Sequence, residues 1–254
     1  MTCRLPVLAL RRTVARSLLV FGLAAAALAP VSASAQEAPP TPDAGYVVPD
    51  DGVLAFYTNH GGAATFGQPI SREFNLFGTP TQLFDNAALE VLPDGSVAAM
   101  PLAGSGLLPY TEFAGQTVPA ATAALVMVAP TPDQPAYAQR VQVFLQASVP
   151  DSWNGQPVQF LSTLNATGGL DVWGMPTSAP AADPNNPQFI YQRFANGIMF
   201  YDASAGSTVA LPLGQYLKDV LTAQSQPADL ASEAATASLW GQLAGSDAFT
   251  PDAA

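Results

Sequence analysis

The phrase GGAATFGQPIS, residues 61 to 71, decides how this chain is organised, because it returns 107 positions later as GGLDVWGMPTS, residues 168 to 178. Both phrases contain a double glycine, an aromatic residue before a Gly-x-Pro step, and a final serine. The matched positions are Gly61, Gly62, Phe66, Gly67 and Pro69 in the first phrase and Gly168, Gly169, Trp173, Gly174 and Pro176 in the second. Two further matches follow in the same order, Gln82-Leu-Phe84 with Gln192-Arg-Phe194 and Met100-Pro-Leu102 with Leu211-Pro-Leu213. Three ordered matches predict two copies of one structural unit, over residues 50–107 and 159–214.

Each copy carries the same local signals. A short apolar segment before the double glycine predicts a helix that ends there, because glycine accepts the left-handed conformation of a helix C-cap. The aromatic-Gly-x-Pro step predicts a tight turn with its aromatic side chain in the core. Extended stretches around Asp85-Asn86 and Asn196-Gly197 predict a β-hairpin in each copy, and Asn-Gly is a favoured two-residue turn. We therefore expect an α+β fold, with two related helix/turn/β-hairpin units packed with a linking segment and a C-terminal helical extension.

The linking segment, residues 108–158, contains two apolar runs, 123–128 and 141–149, separated by three prolines. Residues 137–149 fit either a strand or a helix, because both periods occur in them. After the second copy, apolar residues on one face predict C-terminal helices within 215–242, the second of them over 228–239. The remaining residues, 243–254, are expected to form a flexible tail.

Residues 1–35 have the pattern of a signal peptide. Four arginines precede an apolar run of about 15 residues, short of the roughly 20 needed to cross a bilayer, and Ala33-Ser34-Ala35 suits signal peptidase. The alternative is a retained membrane anchor. Residues 36–49 are rich in proline and predict an extended linker. We expect the mature protein to be secreted or held at the cell surface or in the periplasm, without stable membrane insertion. The lone Cys3 lies in the signal, so no thiol is expected beyond it.

The charge of the chain also narrows the choice of partners. Without the signal, four basic residues face 19 acids, which gives a net charge of −15. The four are Arg72, Arg140, Arg193 and Lys218. Such a surface repels phosphate backbones and anionic lipid headgroups, so nucleic acid and membrane-surface partners are not expected.

The repeated phrase, followed by Gln-x-Phe and an Asn or Gly turn, resembles the Leu-Gly-Phe-Pro repeats of secreted, cell-wall-associated bacterial proteins. The resemblance covers about half of the mature chain and is closest in the second copy with its following helices. It implies an extracellular accessory role, with attachment to cell wall or polysaccharide. The first copy departs from the family pattern at ATFGQP, residues 64–69, so a binding function need not survive in both copies. The motif residues of the family are mainly structural, and none is assigned a catalytic role.

Residues with catalytic or metal-binding chemistry are few. His60 is the only histidine; a helix-end position is favoured over a triad with Ser71, because no nucleophile-elbow pattern surrounds a serine. One imidazole without a thiol cannot form a histidine-rich zinc site, so no metal residue is assigned. An all-oxygen calcium site at 183–187 or 202–208 stays open, although turn formation explains both stretches more simply.

Aromatic side chains that could stack on sugar rings are the remaining candidates. The candidate ligand-binding residues are Trp153, Tyr191 and Tyr201, whereas Trp173 is expected to be buried. The function expected is an exported, non-catalytic binding or accessory module without a cofactor, whose partner is cell-wall polysaccharide or another secreted protein. The alternatives are a carboxylate-dependent glycan hydrolase, with acids such as Asp85, Glu90, Asp171 and Asp202, and a structural protein–protein interaction module.

Overall fold

The computed structural model describes residues 45–104, 107–113, 115–224 and 239–252. The signal segment, most of the linker and all but the last residue of the helix expected over 228–239 lie outside these residues. The described residues form helices and antiparallel sheets, which confirms the α+β class.

The first copy contains two helices followed by a sheet. Helix α1, Asp51–Asn59, begins where the Asp50 carboxylate accepts the backbone N–H of Val53 at 2.8 Å. It ends just before Gly61, whose φ is +98°. A second, short helix α2 spans Ala63–Phe66. A four-stranded antiparallel sheet follows, with the strands in chain order: β1 Phe74–Leu76, β2 Thr79–Leu83, β3 Ala88–Val91 and β4 Val97–Ala99.

The linking segment contains a short β-ribbon and two helices. The strands β5 and β6 span Glu112–Phe113 and Gln116–Thr117, and the helices α3 and α4 span Ala123–Val128 and Tyr137–Ser148. Residues 137–148 are therefore helical, which decides between the two structures left open by the sequence. Val141 and Leu145, one helical turn apart, are its buried residues.

The second copy has the same order of elements as the first. Helices α5 and α6 span Phe160–Ala166 and Gly169–Trp173, and the strands are β7 Ala181–Ala182, β8 Phe189–Arg193, β9 Ile198–Asp202 and β10 Ser207–Ala210. Each copy thus contains a short second helix and two outer strands beyond the expected helix, turn and hairpin. The central hairpins, β2 with β3 and β8 with β9, are those that the sequence predicted.

The prediction of an Asn196-Gly197 turn is wrong by one residue. The backbone N–H of Phe194 donates to the carbonyl of Gly197 at 2.8 Å, so Ala195 and Asn196 are the central residues. Gly197 is required for a different reason. A Cβ on it would lie 3.1 Å from the indole ring of Trp173, which packs directly on its backbone.

The two copies share two hydrophobic cores. Leu83 and Met100 of the first copy meet Ile198 and Leu211 of the second in one core. The other core combines Phe66 and Phe84 of the first copy with Trp173 and Phe194 of the second, and α4 packs on it. Because each core takes side chains from both copies, neither copy encloses a core of its own.

The chain after the second copy also packs on the body. Helix α7, Leu213–Thr222, buries Leu213, Leu217, Val220 and Leu221, which confirms its expected face. The expectation of a flexible tail over 243–254 is wrong for the described part. A 3-10 helix spans Asp247–Phe249, and the Phe249 ring lies 5.5 Å from the Phe74 ring.

The linker expected over residues 36–49 is likewise fixed to the body at its described end. Tyr46 is buried, and its hydroxyl donates to the Phe249 carbonyl at 2.7 Å. Asp252 forms a 2.8 Å ion pair with Arg72 and accepts the backbone N–H of Val47. Apolar burial and these bonds outweigh the tendency of Pro-rich and terminal segments to stay solvated.

Candidate functional site

The predicted motif residues lie at equivalent places in the two copies. The double glycines join the two helices of each copy, and Phe66 and Trp173 end α2 and α6 as buried side chains. Gly67 and Gly174 follow them with φ of +77° and +67°. Pro69 and Pro176 then form equivalent isolated bridges, to Phe84 and Phe194. The expected burial of Trp173, which is 5% exposed, is confirmed.

The serines that end the two phrases are buried and make the same hydrogen bond. Ser71 Oγ accepts the backbone N–H of Leu83 at 2.9 Å. Ser178 Oγ accepts the backbone N–H of Arg193, also at 2.9 Å. Each bond holds the phrase against the last residue of a central strand, β2 in the first copy and β8 in the second. Both serines are inaccessible, with Ser71 0% and Ser178 1% exposed.

The matched asparagines hold the hairpin turns against the short helices. Asn86 Nδ2 donates to the Thr65 carbonyl at 3.1 Å, and Asn196 Nδ2 donates to the Val172 carbonyl at 3.0 Å. These carbonyls stand at the ends of helices, where backbone acceptors lack intrahelical partners. The repeated polar residues therefore satisfy backbone groups.

Two of the three predicted sugar-stacking residues are inaccessible. Tyr191 and Tyr201 lie in the central strands β8 and β9, are 0% and 3% exposed, and face the two shared cores. The prediction that they bind a ligand is wrong, because both faces of the sheet are covered. Burial also raises the pKa of the Tyr191 phenol. Trp153 is half-buried, in a tight turn closed by its 2.9 Å backbone hydrogen bonds with Gln156.

His60 lies at the end of α1, as expected. Its ring stacks on the Phe56 ring with centroids 4.1 Å apart, and its Nδ1 lies 2.8 Å from the Phe56 carbonyl oxygen. Its Nε2 lies 4.0 Å from the Asp171 carboxylate of the second copy. His60 thus marks a contact between the two copies.

The acids considered for glycan hydrolysis occupy separate environments. Glu90 lies half-buried in β3, where burial raises the pKa of its carboxyl. Asp85 accepts the backbone N–H of Gln68 at 2.7 Å beside the first turn. The Asp202 carboxylate accepts hydrogen bonds from the backbone and hydroxyl of Ser204, which lower the pKa of Asp202. Within the described ranges, no three His, Cys, Asp or Glu residues group as metal ligands would.

Arg193 is the clearest difference between the copies. It occupies the position of Leu83 in the first copy and is 1% exposed. Its guanidinium donates to four backbone carbonyls, that of Ala103 near the end of the first copy and those of Leu108, Tyr110 and Pro119 in the linking segment. Burial lowers the pKa of this guanidinium to about 10. The side chain therefore fastens the start of the linking segment to the second copy.

A groove with both apolar and polar lining residues lies farther along the linking segment, between α3 and α4. It has a volume of about 720 Å³, and its walls include Met127, Val128, Val143, Phe144 and Ala147. None of the six residues of α3, all of them described, is buried. Met127 is 84% exposed, Val128 68% and Val143 60%.

This groove could not be predicted from the sequence, although the sequence contains one signal for it. The apolar run 123–128 was recognised, but apolar runs normally indicate a buried element. Three prolines between the runs, Pro130, Pro132 and Pro135, restrict how the chain can fold α3 back onto the core.

Comparisons of the chain with protein-family models and with curated proteins found no match. No helix in the part of the chain that the structure describes is both long and apolar enough to span a membrane.

Proposed function

We propose that the chain is an exported, non-catalytic accessory module that binds material of the cell surface through its linking segment, while the two matched units serve as its scaffold. The exposure of α3 carries this proposal. Of the eight large apolar side chains that are exposed in the described residues, four belong to α3 and α4: Val126, Met127, Val128 and Val143. Clustered apolar exposure of this kind marks binding surfaces.

The scaffold role is supported by how the repeated residues are used. Ser71, Ser178, Asn86 and Asn196 are bonded to backbone groups. The linking segment is held by α4 in the shared core and by Arg193. A rigid scaffold of this kind can present a short, exposed helix at a fixed position.

Cell wall or its polysaccharide is the proposed surface, on the strength of the resemblance to Leu-Gly-Phe-Pro repeats. Export is proposed from the signal-like residues 1–35. Of the three aromatic residues predicted to stack on sugars, Trp153 is half-buried and the other two are buried.

The test is retention of the chain without residues 1–35 on purified bacterial cell wall and on a glycan array, each with calcium or with a chelator. We expect retention on the wall in both conditions, and its loss in Val143→Asp. Val209→Asp is the matched control, since Val209 is 45% exposed on β10. Retention on neither the wall nor the array would contradict the proposal.

A second candidate function, interaction with another secreted protein, is favoured by the same exposed apolar side chains. Protease treatment of the wall before the assay separates the two. Retention that survives the treatment supports a wall component, and retention that disappears supports a protein partner.

A further inference from the structure

We propose that the groove between α3 and α4 binds a single-chain fatty acid, with the alkyl chain along the apolar walls and the carboxylate on Arg140. The inference rests on the proposed function, in which this groove is the binding surface, and it names the ligand class. Four features of the groove support it: a second apolar face on α4, a restrained connector, a size that suits a small ligand, and one guanidinium without a carboxylate partner.

Helix α4 has two apolar faces, and only one of them packs on the protein. Val141 and Leu145 point into the shared core. Val143 and Phe144 each lie one helical turn before Ala147, four and three residues away from it, on the side that lines the groove. A helix that was only structural would need one apolar stripe.

The connector between the helices favours a preformed groove. Prolines at 130, 132 and 135 each fix a backbone φ near about −65°. Ala136, the N-cap residue of α4, has a φ of +55°, a conformation that L-residues rarely adopt. Both Pro130 and Ala136 line the groove.

The dimensions suit a small ligand better than a helical peptide. The volume of about 720 Å³ falls within the roughly 300–1,000 Å³ of ordinary ligand sites. Helix α3 has six residues and is therefore about 9 Å long. A peptide helix that anchors through positions i, i+3, i+4 and i+7 needs a longer wall, whereas an alkyl chain can bend to follow a short one.

The charge of Arg140 indicates that the head group of the ligand is a carboxylate. It is the only charged residue of the groove lining, and its Nε donates to the Pro135 carbonyl at 2.9 Å, which orients the guanidinium. Within the described ranges it forms no ion pair. A guanidinium binds a carboxylate through two parallel hydrogen bonds. One arginine matches one carboxylate, whereas a phosphate dianion would leave a further negative charge on a chain whose net charge, without residues 1–35, is −15.

The negative net charge is compatible with this local site. At an ionic strength of 0.15 M, charges separated by more than about 8 Å are largely screened, so acids farther than this from Arg140 act only weakly on the groove. A second copy of the chain is a poorer occupant, because the copies repel each other and a symmetric contact would bring two Arg140 side chains together.

The experiment is calorimetric titration of the chain without residues 1–35 with dodecanoate below its critical micelle concentration, with the Met127 methyl signal followed by NMR. We expect saturable binding that shifts this signal. Arg140→Gln should weaken binding about tenfold, which is the effect of removing one charge-assisted hydrogen-bonded pair. Val143→Asp should weaken it at least as much, and Val209→Asp should leave it unchanged. Dodecylamine, with the same alkyl chain and a cationic head, should bind at least about tenfold more weakly.

Absence of saturable binding, equal affinity for dodecylamine, or unchanged binding by Val143→Asp would each overturn the proposal. A wild-type dimer that Val143→Asp converts to a monomer, seen by analytical ultracentrifugation, would overturn it in favour of a second copy. Retention on cell wall without dodecanoate binding refutes the fatty acid and leaves the proposed function standing. Dodecanoate binding without retention on cell wall refutes the proposed wall binding and leaves the fatty-acid site standing.

Discussion

At the scale of single residues, matched positions in the two copies differ where only one copy must hold the linking segment. Leu83 in the first copy is replaced by Arg193 in the second, and both side chains are buried. The arginine is tolerated because its N–H groups meet backbone carbonyls, which removes most of the cost of burying a polar group. The sequence alone revealed the repeat, but it did not reveal that this arginine is buried, because arginine is usually exposed.

Replacement of this arginine should destabilise the protein strongly. Arg193→Met leaves buried carbonyls without a donor, and we expect the free energy of unfolding to fall by at least about 3 kcal/mol. Urea denaturation followed by circular dichroism measures it. Arg140→Met, at an exposed position, is the matched control and should change stability by less than about 0.5 kcal/mol. Similar costs for the two variants would refute the role given to Arg193.

Glu90 should give the stability of the protein a specific dependence on pH. Burial raises the pKa of this carboxyl, so the folded state binds its proton more tightly than the unfolded state does. Its ionisation therefore lowers stability as the pH rises above the pKa of the unfolded state, about 4.3. Glu90→Gln should raise stability at pH 7, by up to about 0.5 kcal/mol, and should have no effect at pH 3.5.

Asp94 is a control for which the pH dependence of stability should have the opposite sign. Hydrogen bonds from Ser96 lower the pKa of its carboxyl, so its ionised form favours the folded state. Asp94→Asn should lose stability at pH 7 and none at low pH. Thermal denaturation at pH 7 and pH 3.5 measures the stability of both variants. A change of stability in the same direction for Glu90→Gln and Asp94→Asn at pH 7 would contradict the opposite pKa shifts given to the two carboxyls.

At the scale of elements, the sequence predicted whether a segment forms a helix or a hairpin better than it predicted where the segment ends and which residues form its turn. Helices that end at double glycines and hairpins with apolar strands follow from local preferences, and both are present. The helix of residues 137–148 was ambiguous, because its alternating and helical patterns overlap. The Asn-Gly turn was misplaced because Asn196 bonds to the neighbouring helix and Gly197 accommodates the Trp173 ring. Contacts between elements, which no local pattern contains, decided both cases.

The start of α7 depends on a close contact with the first copy. A Cβ on Gly214 would collide with the carbonyl oxygens of Phe84 and Ala87, and the next residue, Gln215, donates its backbone N–H to the Asp85 carbonyl at 3.0 Å. We expect Gly214→Ala to cost about 3 kcal/mol, since α7 must move away from the turn. Chemical denaturation tests this.

Gly206 is the control for Gly214. Its φ is +65°, and a Cβ there would meet open space. Gly206→Ala should therefore cost only the backbone strain, about 1 to 2 kcal/mol. A cost of Gly214→Ala below that of Gly206→Ala would contradict the packing of α7 on the first turn.

At the scale of the whole molecule, both described ends of the chain are joined to the body. The sequence suggested a linker and a flexible tail, because proline-rich and small polar residues usually remain solvated. Tyr46 and Phe249 pack near each other instead, and the Lys218 amine lies 5.4 Å and 5.8 Å from the centroids of their rings. Contacts between residues about 200 positions apart could not be inferred from composition.

Removal of residues 243–254 should therefore lower the melting temperature. The truncated chain loses the Phe249 packing and the ion pair of Asp252 with Arg72, and we expect a fall of about 5 °C. Differential scanning calorimetry measures it, with deletion of residues 253–254 alone as the control. An unchanged melting temperature after the longer deletion would indicate that the tail does not stabilise the body.

The central claim divides the molecule into repeated units that maintain shape and a linking segment that binds. Retention on purified cell wall, measured side by side for Val143→Asp and Ser178→Ala, tests it most directly. Ser178→Ala removes a buried acceptor and should cost about 1 to 3 kcal/mol of stability, yet the fraction that stays folded should be retained. Val143→Asp should keep its stability and lose retention. Lost retention in folded Ser178→Ala together with full retention of Val143→Asp would contradict the account.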